Sequence, residues 1–303
     1  MNGDRESGVG GRGSISVVDA EAILADRNVI AVGVRGDDER RRRHGTRTTF
    51  VRVFEVHTDA LRLADARSGQ AVASLLPAGV AAGEIRIVGK PASVEDAVSA
   101  VRRAVAGADT IPLTAYSLAD LLALCGGRPD GLADLAGRLV GAGLTAIAEA
   151  PIDLLPDAVA MVQAVRQAGL GVPRLSVHQP ADDPLRLVAL AREIQSSVGG
   201  VRAFAPLPRV QSVAQPTTGY DDVRHVAVSR LMLDNIESIQ VDWGLYGPKL
   251  AQVALTMGAD DVDNVSPLEG DLGRRRSPLE EIKGNVTAAG LEPVERDGAW
   301  NVR

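Results

Sequence analysis

Two histidines and several carboxylates stand directly behind short apolar runs, the place from which side chains converge at one end of a parallel sheet. His57 and Asp59 follow TTFVRVFEV (Thr48–Val56), and Lys90 follows EIRIV (Glu84–Val88). Tyr116, Ser117 and Asp120 follow TIPLTA (Thr110–Ala115), and Glu149 and Asp153 follow LTAIA (Leu144–Ala148). His178 closes RLSVH (Arg174–His178), and Arg209 and Gln211 follow VRAFAPL (Val201–Leu207). Asp242, Trp243 and Tyr246 belong to the end of SIQVDW (Ser238–Trp243), and Asp263, Asn264 and Glu269 to the end of DDVDNV (Asp260–Val265). Imidazoles and carboxylates in one cleft transfer protons or ligate a metal. On that ground His57, Asp120, Glu149, Asp153, His178 and Asp263 are the candidate catalytic residues. A structural reading competes with this one: helices begin right after these strands, so Asp120, Asp153 and Asp183 are also placed to cap them.

The elements that must position these residues alternate regularly. Eight short, β-branched runs alternate with Ala/Leu-rich segments of helical period, the pattern of repeated βα units. The helices announce their ends. Ser93 with Asp96 starts one that runs to Ala106, Asp157–Gln167 is stopped by Gly169, and Asp130–Val140 is stopped by Gly141–Gly143. Pro184–Ser197, Tyr220–Asn235, Pro248–Met257 and Pro278–Ala288 follow, three of them opening on proline. The weakest segment is Ala60–Pro77, interrupted by Ser68–Gly69. The expected architecture is a single (β/α)8 TIM-type barrel over residues 48–303, with an open doubly wound sheet as the alternative. Residues 15–47 read as a helical lead-in. Residues 1–14, MNGDRESGVGGRGS, are too polar and glycine-rich to bury a core and read as a disordered tail.

Composition removes whole classes of function. The chain has 303 residues, a net charge of -6 and one cysteine, Cys125. One thiol forms no internal disulfide and supplies neither a structural zinc site nor an iron–sulfur cluster. The acidic balance argues against a nucleic-acid partner, and Arg40–Arg43, directly behind Asp37–Glu39, reads as a solvated helix of mixed charge. No apolar stretch is long enough to span a membrane, and no signal-peptide core opens the chain, so a cytoplasmic location is expected. No P-loop, G-x-S-x-G, H-E-x-x-H or strand-placed G-x-G-x-x-G occurs. Cys125, in LLALCGG, reads as a structural thiol because nothing beside it in sequence lowers its pKa.

The C-terminal third is the most distinctive part: VAVSRLMLDNI (Val226–Ile236), GPKLAQVALTMGADDVD (Gly247–Asp263) and SPLEEIKGNVTAAGLEPVERD (Ser277–Asp297). These blocks resemble the radical-SAM enzymes of the futalosine route to menaquinone. They look like aminofutalosine synthase, and more distantly like dehypoxanthine futalosine cyclase and the deazaflavin-forming synthase. GGVRAFAPL (Gly199–Leu207), AREIQ (Ala191–Gln195), GRLVGAGLTAI (Gly137–Ile147), LTAYSLADLLAL (Leu113–Leu124) and RRRRHGTRTTFVR (Arg40–Arg52) extend the resemblance to about residues 35–303. It implies a (β/α)8 barrel, a 4Fe–4S cluster and S-adenosylmethionine.

The departures from that pattern bear on function. The family's C-x3-C-x2-C motif after strand one falls near Arg62, Ala66 and Gly69, none of which ligates iron. Its glycine-rich turn after strand four is replaced by Glu149-Ala150-Pro151-Ile152-Asp153, which loses both freedom and clearance. Asp120 and Asp153 shorten the family's glutamates by a methylene, and His178 keeps its histidine after strand five. No cofactor and no metal are therefore expected. The chain reads as a pseudoenzyme that binds a pathway intermediate or a protein partner, such as an intact radical-SAM paralogue or another menaquinone-pathway protein. A repurposed, non-radical enzyme working from the barrel rim is the alternative. An active member whose cluster is ligated in an unusual way is the third reading.

Overall fold

The computed structural model describes residues 14–61, 75–210, 219–269 and 277–303. Two helices, α1 (Val17–Ala25) and α2 (Val29–His44), lead into the sheet. There follow β1 (Arg47–His57), β2 (Glu84–Val88), α3 (Val94–Gly107), β3 (Leu113–Ser117), α4 (Leu118–Leu124) and α5 (Pro129–Gly141). Then come β4 (Ala146–Pro151), α6 (Ala158–Gln167), β5 (Arg174–Val177), α7 (Pro184–Ser197), β6 (Ala203–Pro208) and α8 (Gly219–Met232). The order ends with β7 (Ser238–Asp242), α9 (Trp243–Leu255), β8 (Asp261–Val265), α10 (Pro278–Ala288) and β9 (Glu292–Glu295).

Strands β1 to β8 pair in parallel in sequence order, and β1 pairs with both β8 and β2, so the sheet closes on itself. The expected (β/α)8 barrel is what the chain forms, and the open doubly wound sheet is not. β9 lacks a strand signature in the sequence, and its pairing explains its existence. Its residues run beside Arg47–Phe50 of β1, on the edge that β2 takes over from Val53 onward. One long strand thus shares one edge between two short ones.

Local chemistry fixes the helix starts as expected. Ser93 Oγ accepts the Asp96 N–H, Asp157 accepts from Ala160, Asp183 from Arg186 and Ser277 from Glu280; each satisfies a donor that the first turn leaves free. Other boundaries move. α9 begins at Trp243, capped by Asp242, and kinks at Gly247 (φ 74°) before the predicted start at Pro248. The Arg-rich end of α2 is only partly solvated: Arg42 is exposed on Glu39, whereas Arg40 is fully buried with a 2.9 Å bond to Asp37. Ser14, read as tail, is ordered and donates to the Met232 carbonyl at 2.7 Å. The rest of the predicted tail, most of the Ala60–Pro77 segment and Gln211 lie outside the described residues.

The core lies between sheet and helices. Ile85 and Ile87, Leu175, Ile239 and Val262 are buried against Val101 and Ala104 of α3, Val162 and Val165 of α6, Ile194 of α7 and Val226 of α8, within one continuous apolar cluster. Among the described residues, no helix is long and apolar enough to cross a membrane.

Candidate functional site

Strands buried on both faces usually carry apolar side chains on both, as in barrels whose axis is filled with valine, isoleucine and leucine. Here the strands alternate, and the polar set is turned inward. Glu84 and Arg86 of β2, Arg174 and Ser176 of β5, Gln240 of β7, and Asp261 and Asp263 of β8 are all buried. Arg86 donates to Asp263 through Nη1 (3.0 Å) and Nη2 (2.9 Å), and Arg174 Nη2 reaches the same carboxylate at 2.9 Å. β2, β5 and β8 are not neighbours in the sheet, so these bonds run through the barrel axis. Glu84 joins the group by accepting from Arg86 (2.8 Å) and from Thr114 of β3 (2.6 Å).

This ionic column has three levels. At the bottom, Asp261 accepts from Arg296 (2.7 and 2.8 Å), Thr49 (2.5 Å) and Gln240 (2.6 Å). Asp263, Arg86, Arg174 and Glu84 form the middle. At the top, Arg209 is ion-paired with Glu149 and donates to Asp242 at 2.8 Å. Burial pushes the Asp263 carboxyl up, but the Arg174 and Arg86 guanidinia outweigh it and hold it well below the usual carboxylate range. Glu149 follows the same balance, its burial outweighed by Arg209, Arg174 and Arg86, and it too is lowered. Arg174 is lowered by burial and by the facing charge of Arg86.

Above the column, at the C-terminal ends of the strands, opens a cavity of about 150 Å³. It is lined by Glu55, Arg86, Gly89, Tyr116, Ser117, Asp120, Glu149, Arg174, Arg209 and Asn264, among others. Tyr116 and Asn264, at the ends of β3 and β8, both adopt left-handed backbone angles (φ 62° and 58°). Such strain persists where the surroundings impose it and clusters at binding sites. Burial pushes the Tyr116 phenol up to about 12, so it stays protonated and donates to the Ala97 carbonyl at 3.1 Å.

The cavity brings together Asp120 and Glu149 of the six predicted candidates. Asp120 is ion-paired with exposed Lys90 at 3.4 Å. Asp263 lies beneath them, fully buried in the column. Asp153 anchors the chain after β5, its two oxygens accepting the N–H groups of His178 and Gln179, each at 2.8 Å. His57 is half-exposed at the tip of β1, with Asp59 3.6 Å from its Nδ1 and its ring lying over Gly89. His178 and His57 are absent from the lining, and the two histidines do not meet Asp120 and Glu149 there. Among the described residues, no three His, Cys, Asp or Glu side chains are grouped to hold a metal. Sequence reading missed Glu55, Glu84, Arg86 and Arg174. Their signal was the alternation within EIRIV and RLSV, which marks a polar face turned to the axis.

The donor set does not match a radical-SAM cofactor pair. The chain's single thiol, Cys125, sits at the C-cap of α4, half-buried, its pKa raised by burial. The positions aligned with the family's cysteines, near Arg62, Ala66 and Gly69, lie outside the described residues and hold no thiol. Of the Glu149–Asp153 segment, where the family's glycines admit the cosubstrate, the first three residues are strand: Pro151 pairs with Ser176, whose carbonyl accepts the Ile152 N–H at 3.0 Å.

The fold is a closed (β/α)8 barrel with a polar interior. Methylornithine synthase has the same fold (TM-score 0.59, 13% identity, covering 93% of this chain and 94% of that one), as does the hydrogenase maturase HydG of Carboxydothermus hydrogenoformans (0.59, 12%, 93% and 76%). Residues 205–303 match the family model of the CofH/MqnC C-terminal region. Aminodeoxyfutalosine synthase of Thermus thermophilus is 36% identical over 124 residues, 36% of this chain and 33% of that one. The Streptomyces coelicolor enzyme of the same name is 29% identical over 161 residues, 45% and 42%. The 5-amino-6-(D-ribitylamino)uracil–L-tyrosine 4-hydroxyphenyl transferase of Archaeoglobus fulgidus is 32% identical over 126 residues, 37% of each chain. The match thus spans about two-fifths or less of the length of these curated relatives.

Proposed function

We propose that this chain is a cluster-free relative of the aminodeoxyfutalosine and hydroxyphenyl-transferase enzymes, a pseudoenzyme that binds a small amphoteric molecule in the barrel mouth. The observation that carries the ligand class is the split chemistry of the cavity. Arg86, Arg174 and Arg209 line it together with Glu55, Asp120 and Glu149. Arg174 is 4% exposed, and its Nε has no hydrogen-bond partner among the described residues. A buried donor left open is costly, and a ligand carboxylate satisfies it. The acids at the same opening suit an ammonium or hydroxyl at the other end of the ligand. An α-amino acid has that pattern, and L-tyrosine appears in the name of one relative.

The donor chemistry supports the absence of radical chemistry: reductive cleavage of S-adenosylmethionine needs an electron from a bound cluster, and the chain has one cysteine. The alternative of a non-radical enzyme has less support. Asp153, Asp242 and Asp263 are already bonded to backbone N–H groups or guanidinia, which leaves them poorly placed as bases.

Calorimetric titration of the full chain with L-tyrosine tests the ligand class. Saturable binding that weakens about tenfold or more in Arg209→Gln is expected. No saturable heat with L-tyrosine, or binding indifferent to Arg209, contradicts it.

A further inference from the structure

The largest cavity described lies at the opposite end of the barrel, and its chemistry is of another kind. It measures about 430 Å³, within the size range of small-molecule sites. Its floor is the N-terminal ends of β3, β4 and β5, with Leu113 and half-buried Pro173 as apolar surface. Its wall is the hairpin after β9, where Arg296 and Val302 bridge and Trp300 stands at the turn.

Trp300 is held in a left-handed conformation (φ 69°) that an indole side chain adopts at a cost. One guanidinium, that of buried Arg296, lies 3.7 Å from the ring centroid, and Arg202 lies at 5.8 Å. Among the lining residues Arg202 carries the one formal charge, and no carboxylate is present. Its partner Glu237, at 3.0 Å, is as exposed as Arg202 itself; such a pair contributes little and exchanges readily. The neighbouring carbonyls of Thr145 and Pro173 already accept from Gly171 and from Arg202 and Ala203. The cavity therefore offers an aromatic edge, an apolar floor and one exchangeable cation.

We propose that the N-terminal face of the barrel is a second ligand site, which takes a planar heteroaromatic ring bearing an anionic group. The ring lies against Pro173 and the indole, and the anion replaces Glu237 on Arg202. The inference is independent of what occupies the mouth.

The test uses the full chain, AMP as probe, and adenosine and inorganic phosphate as its two halves, followed by tryptophan emission and calorimetry. AMP should give a saturable change, while adenosine or phosphate alone and the Arg202→Gln variant should bind about tenfold more weakly or worse. Trp300→Leu should lose the emission change and weaken the calorimetric affinity. Arg202, half-exposed, keeps the test open if Trp300→Leu fails to fold. Absence of saturable AMP binding, an Arg202→Gln variant that binds AMP as tightly as the parent, or displacement of AMP by L-tyrosine overturns the proposal.

Discussion

The two faces of this sheet are built on opposite principles. Outward, Ile85, Ile87, Leu175, Ile239 and Val262 meet helices in an apolar shell. Inward, guanidinia and carboxylates of β2, β5 and β8 bond across the barrel axis, with Arg296 joining them from below. The shell supplies the hydrophobic driving force, which depends on area and tolerates change of shape. The column contributes differently: its desolvation offsets most of its attraction, so it is weak as a source of stability but severe when broken. Removing one partner leaves another charge buried and alone. The comparison separates what makes the chain fold from what shapes the mouth.

The largest effect should come from the centre of the column. Asp263→Asn strips Arg86 and Arg174 of their shared counter-charge, and chemical denaturation should show a loss of about 3–5 kcal/mol. A loss below that of a conservative shell change would erase the distinction between the two faces. The same carboxylate sets an acid limit. Because Asp263 and Glu149 are held below their unfolded values, their contribution is complete above about pH 4 and lost as pH falls below it. Asp263→Asn should flatten that acid slope.

Asp153→Ala comes next, at about 1–3 kcal/mol, since two backbone N–H groups lose their acceptor. Thermal unfolding measures the loss, and hydrogen exchange should quicken at His178 and Gln179; unchanged exchange there would contradict the anchoring role. Ile87→Val, in the shell, should cost about 1 kcal/mol with no change in ligand binding at the mouth. Glu39→Gln sharpens the contrast from the surface. The Arg42 bond is the chief cause that brings Glu39 to about 2, against its burial and with help from Arg43; with Arg42 exposed but Glu39 and Arg43 largely covered, the loss should be about 1 kcal/mol or less in a denaturation curve.

The shell was the legible part. Short β-branched runs between helical segments located all eight barrel strands, and cap residues such as Ser93, Asp157 and Asp183 located helix starts. The column was hidden because Arg86 and Arg174 sit inside runs that read as apolar strands, and their partners are 177 and 89 residues away from them in sequence. Asp263 was found as a rim candidate, but its partners placed it in the axis. His57 and His178 suggested a shared site because both end strands, yet a strand end gives no information about where a ring turns. β9 owes its strand to the free lower edge of β1, which no local pattern encodes.

The proposal of a cluster-free barrel stands on the missing thiolates. Anaerobic reconstitution of the purified full chain with iron and sulfide, followed by an absorption scan and spin resonance after reduction, tests it directly. The account predicts no stable brown chromophore and no reduced-cluster signal. A stoichiometric 4Fe–4S cluster that survives desalting would contradict it.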